Sequence, residues 1–140
     1  MTSDQGDDPL QPSRPDILLL AAEWQPRALL RAQLIEEGLE VFATDNWATM
    51  QRWMRPGTKP SFAIIDLQGL LEPERVLSDL AVLMRPSCVL VLTSIGTVKP
   101  HTIEALGFHV ARRPIRIGSV VATVTRALGR RDSPKLSSDS

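Results

Sequence analysis

Chemically capable side chains in this sequence gather at the ends of apolar runs. Asp66 closes FAIID, Thr93 and then Ser94 close CVLVLT, and Arg112 with Arg113 follow FHVA and precede Pro114. A further run, ILLLAA, ends in Ala21 and Ala22 before Glu23 and Trp24. A carboxylate, hydroxyls and guanidiniums can pair with one another, since a guanidinium can grip a carboxylate through parallel hydrogen bonds. Nucleophilic catalysis would need a nucleophile and a base converging at one place, and His101 and His109 have no obvious partner in the sequence. No enzymatic activity is therefore expected. The same two histidines and the lone Cys88 make no credible zinc set, and a single cysteine excludes an internal disulfide.

The elements that must position these groups follow from the hydrophobic pattern. Between Arg14 and Arg130 short apolar runs alternate with amphipathic segments, as expected when parallel strands are joined by crossover helices. The runs are ILLLAA (17–22), LEVFA (39–43), FAIID (62–66), CVLVLT (88–93) and FHVA (108–111). The first, third and fourth are apolar almost continuously, which indicates strands covered by helices on both faces. The expected fold is α/β and flavodoxin-like, a five-stranded parallel sheet of order 2-1-3-4-5 between two helical layers. Such sheets bind ligands beyond the carboxyl ends of their strands, where strand order reverses. That places Ala21, Ala22, Glu23 and Asp66 at the crevice and Thr93, Ser94, Arg112 and Arg113 along its edge.

Helix signals lie between the runs. Pro26 opens a first helix carrying Leu30 and Leu34, and Gly38 closes it. Asp45 or Asn46 caps a second, with Trp47, Met50 and Met54 on one side and Pro56 and Gly57 as its stop. Pro73 opens a third, in which Val76, Leu77, Leu80, Leu83 and Met84 have the spacing of a buried face, and Pro86 ends it. The fourth, about 97–106, is short and weak. The fifth sets Ile117, Val120, Val121, Val124 and Leu128 on one face. Trp47 and Trp53 are expected partly in the core, Trp24 beside the crevice as cover or docking surface, and Cys88 as a small buried hydrophobe starting the fourth strand.

At 140 residues, 43% of them hydrophobic, the chain is large enough to bury a core and too small for two ordinary domains, so residues 15–130 are expected to form one domain. The acidic, proline-rich residues 1–14 read as a disordered lead, and residues 131–140 as a disordered tail. Sixteen basic against sixteen acidic residues leave no net charge to draw the chain to nucleic acid or an anionic membrane. No apolar run approaches the roughly 20 residues needed to span a bilayer. A soluble, cytoplasmic protein in a reducing compartment is expected.

With the strand endings ILLLAAEW, FAIIDL, VLVLTS and ARRPI in this order, the chain resembles the CheY-like receiver domains of bacterial two-component response regulators, across roughly Asp16 to Gly129. The resemblance implies that Asp66 stands at the phosphoacceptor position, that Thr93 stands at the hydroxyl switch position, and that Arg113 replaces a phosphate-neutralising lysine. It also implies a cis bond from Arg113 to Pro114. Receivers carry an acidic pair after the first strand that holds a divalent cation with the acceptor aspartate, and here that pair is Ala21 and Ala22. Each lost carboxylate about 4 Å from the cation forgoes on the order of 8 kcal/mol of gross attraction at an effective dielectric near 20. Asp66 and Glu23 remain as weak metal candidates, and no cofactor is expected. Without a metal, phosphoryl transfer loses its main electrostatic stabiliser, and an ion pair between Arg113 and Asp66 becomes available.

The expected function is that of a pseudo-receiver in phosphorelay signalling, acting by phosphorylation-independent protein contact. The alternative is a phosphorylatable receiver, with magnesium as cofactor and Asp66 as acceptor. In either case the partner would be a protein, whether a histidine kinase, another signalling protein or a second copy of the chain. It would dock on the face of the fourth helix, fifth strand and fifth helix, where Arg112, Arg116, Arg126, Arg130 and Arg131 form a basic patch.

Overall fold

The computed structural model describes residues 15–54, 60–94 and 96–129. Their order is β1 (Ile17–Ala21), α1 (Trp24–Glu36), β2 (Val41–Thr44), α2 (Trp47–Trp53), β3 (Phe62–Asp66), α3 (Pro73–Leu83), a 3-10 turn (Pro86–Cys88), β4 (Val89–Thr93), α4 (Pro100–Ala105), β5 (His109–Arg112) and α5 (Ile117–Ala127). The five strands are parallel and ordered β2-β1-β3-β4-β5, the expected order, with the three continuously apolar runs inside the sheet. Strand order reverses between β1 and β3, whose last residues, Ala21 and Asp66, are register partners. Residues 1–14 and 130–140, the expected lead and tail, lie outside the described residues, as do Pro56, Gly57, Arg130 and Arg131.

Every residue of β1, β3 and β4 is buried. Successive side chains along a strand point to opposite faces, so each run feeds two cores. Leu18, Leu20, Ala63, Ile65, Val89 and Val91 pack with Met50 of α2, Val76, Leu77 and Leu80 of α3, and Ile103 of α4. Ile17, Leu19, Phe62, Ile64, Leu90 and Leu92 pack with Leu30 and Leu34 of α1 and Val120, Val121 and Val124 of α5. Burying one such aliphatic side chain contributes roughly 1.5–3 kcal/mol, which is why the central runs are apolar without interruption.

Several boundaries differ from the sequence-based expectation. Helix α1 starts at Trp24, two residues before Pro26, which falls within the first turn, where its missing N–H leaves no bond unmade. Gly38, at φ 88°, closes the helix as expected: its N–H donates to the Ile35 carbonyl at 2.9 Å, and the Leu39 N–H to the Leu34 carbonyl at 3.2 Å. Asn46, not Asp45, caps α2, its Oδ1 accepting from the Thr49 N–H at 2.8 Å. Helix α3 ends at Leu83, and Pro86 opens the 3-10 turn that takes Cys88 out of β4 and leaves it half-buried. Leu83 is 47% exposed, because it lines a surface cleft with Met54 and Cys88 in place of the core.

Candidate functional site

The loops at the carboxyl edge of the sheet bring the candidate residues together. Asp66 is 1% exposed, at the end of the central strand β3. One of its carboxylate oxygens accepts from the Gln68 N–H at 3.1 Å, a local turn that fixes the rotamer. The other accepts from Arg113 Nη2, forming an ion pair in which the Arg113 side chain is 27% exposed and that of Asp66 2%. Arg113 is held in place from its backbone, since its N–H donates to the Thr93 carbonyl at 2.8 Å; the Arg113–Pro114 bond is cis, as the resemblance implies. Its neighbour Arg112 is exposed.

Thr93 is also buried, and its hydroxyl faces the loop that follows β4. Thr93 Oγ1 donates to the Val98 carbonyl at 2.8 Å and lies beside Thr97 Oγ1. Thr97 closes the turn, donating to the Ser94 carbonyl at 2.7 Å and accepting from the Ser94 N–H at 3.2 Å. Thr93 is thereby bonded away from Asp66, into its own loop.

At the end of β1 the sequence reading missed a residue. Arg27, one turn into α1, folds back so that Nη1 donates to the Ala21 carbonyl at 2.7 Å and lies 3.5 Å from that of Ala22. A cation thus covers the strand end where the resemblance expects carboxylates. The signal was available only as a basic residue in the first turn of a helix, where the macrodipole disfavours it. The loop after β3 closes the other side. A Cβ added to Gly69 would lie 3.4 Å from the Ala22 methyl and 3.7 Å from Glu23 Oε2, so that loop packs against both residues. Glu23 itself is exposed, and Trp24 is 71% exposed at the start of α1. Among the described residues no group of three His, Cys, Asp or Glu is placed to hold a metal ion. His109 sits away from this edge, its Nε2 bonded to the Ser87 carbonyl at 2.9 Å.

No family model matches the sequence. No curated protein matches it either. Solved structures do. A signal receiver domain from Vibrio parahaemolyticus is 22% identical, with a TM-score of 0.70 over 84% of this chain and 92% of that one. The receiver domain of NtrX from Brucella abortus is 20% identical, with a TM-score of 0.68 over 81% of this chain and 98% of that one. Full-length FixJ from B. japonicum is 19% identical, with a TM-score of 0.67 over 87% of this chain and 61% of that one. Strand order, crossover pattern and these likenesses agree: the chain has the fold of response regulator receiver domains.

Proposed function

We propose that the chain is a pseudo-receiver, a module of two-component signalling that works by protein contact and not by accepting phosphate. The ion pair between Asp66 and Arg113 carries this reading, because it satisfies the acceptor carboxylate from within the protein. Magnesium demands near-octahedral oxygen coordination and usually draws on one or two carboxylates. The donors here are a poor match: Ala21 and Ala22 offer only backbone carbonyls, which Arg27 already engages, and both oxygens of Asp66 have partners. Two guanidiniums stand where the chemistry wants a metal and a lysine.

The partner surface on this reading is the face of α4, β5 and α5, where Arg112, Arg116 and Arg126 are exposed in a protein without net charge. Charge complementarity of this kind raises on-rates and specificity toward an acidic partner. In amide NMR of the whole chain, magnesium with beryllofluoride, a phosphoryl mimic, is expected to leave Asp66, Gln68, Thr93 and Arg113 in place. Saturable shifts at those residues that vanish in Asp66→Ala would instead establish a working phosphoacceptor.

A further inference from the structure

A cleft of about 380 Å³ opens between the loop after β4 and the end of β5. Ser94, Gly96, Thr97, Lys99, Arg112 and Arg113 contribute to its wall, and no acidic residue does. The charge in it can be counted. Arg113 is neutralised by Asp66, whereas Lys99 and Arg112 are exposed and carry no ion pair among the described residues, leaving two uncompensated positive charges. Ser94 adds a hydroxyl to the same wall. Apolar wall is present too, from Val98 and Pro100.

From this we infer that the cleft is a non-covalent binding site for a small phosphate monoester with an organic body, a molecule of the nucleoside monophosphate kind. A phosphate monoester carries about −1.5 to −2 charge at neutral pH and three strong acceptor oxygens. That matches two free cations and a wall hydroxyl. The volume lies at the small end of the roughly 300–1,000 Å³ that ligand pockets occupy, enough for more than an inorganic ion. Arg113 lies between this ligand and Asp66, so occupancy of the cleft would be felt at the ion pair. The inference goes beyond the pseudo-receiver reading and does not rest on it, since the cleft would bind its ligand whether or not Asp66 accepts phosphate.

The test is an amide NMR titration of the full chain with adenosine monophosphate, inorganic phosphate and adenosine as probes. Adenosine monophosphate is expected to give saturable shifts concentrated at Ser94, Gly96, Thr97, Lys99 and Arg112, inorganic phosphate weaker ones at the same residues, and adenosine none. A sugar phosphate run in parallel separates recognition of the phosphate from recognition of the base. Lys99→Ala and Arg112→Ala should each weaken binding about tenfold, as removal of a charge-assisted contact does, with unchanged thermal melting because both side chains are exposed. Failure to saturate by about 10 mM, well above the weak 1 mM range, overturns the assignment. So do shifts scattered over Arg52, Arg85 and Arg126, equal binding of adenosine, or binding that survives both substitutions.

Discussion

At the scale of single residues, the central fact is a carboxylate with almost no access to water whose charge is met by one guanidinium and one backbone N–H. Such a pair is costly to break from one side, because the surviving charge stays buried. Arg113→Met is therefore expected to destabilise the fold by about 3 kcal/mol, the low end of the roughly 3–5 kcal/mol found for buried pairs. The low end applies because Arg113 keeps 27% of its side chain exposed. Adding Asp66→Asn to Arg113→Met should recover most of that loss, since a neutral amide can still accept from the Gln68 N–H without leaving a buried charge. Urea denaturation midpoints of the wild type, both single variants and the double variant measure the coupling. An Arg113→Met variant as stable as the wild type would mean that the pair contributes nothing and that Asp66 is free for other chemistry.

At the scale of elements, the parts with strong periodicity were legible and the parts set by contacts across the fold were not. The buried faces of α3 and α5 follow from Val76, Leu77, Leu80, Val120, Val121 and Val124, all of which the structure buries. Pairing of Arg113 with Asp66 was also foreseeable, because β3 and β5 end at the same edge of a parallel sheet. What escaped notice was Arg27, whose partners are carbonyls at the end of a neighbouring strand, and a side-chain-to-backbone bond leaves no mark in a hydropathy pattern. Leu83 has helical core spacing, yet the last turn of α3 meets a surface cleft and not the sheet. The cap of α2 was readable to within one residue, and the observed one supports a local prediction. Helix α2 has seven residues, too few to be stable alone, so its start depends on the Asn46 side chain. Asn46→Ala should cost about 1 kcal/mol, while Asp45→Ala, at the residue that does not cap, should cost far less. Hydrogen exchange at Thr49 and Met50 should accelerate in the first variant only.

At the scale of the whole molecule, one sheet serves two cores that share strands but no side chains. Leu34 packs with the α1 and α5 layer and Ile65 with the layer of α2, α3 and α4, and both are fully buried. The alternating side-chain direction of the strand backbone built this division, since consecutive residues such as Ile64 and Ile65 enter opposite layers. If the sheet is a rigid divider, cavities opened on its two sides should not sense each other. Leu34→Ala is expected to cost about 3 kcal/mol and Ile65→Val about 1 kcal/mol. The double variant should then lose about 4 kcal/mol, additive within roughly 0.5 kcal/mol as for sites with no common contacts. Urea unfolding of all three variants, with unchanged m-values, checks this. A double-variant loss that departs from the sum by about 1 kcal/mol or more would show that strain crosses the sheet. In that case the helices on one face could inform those on the other without any chemistry at Asp66.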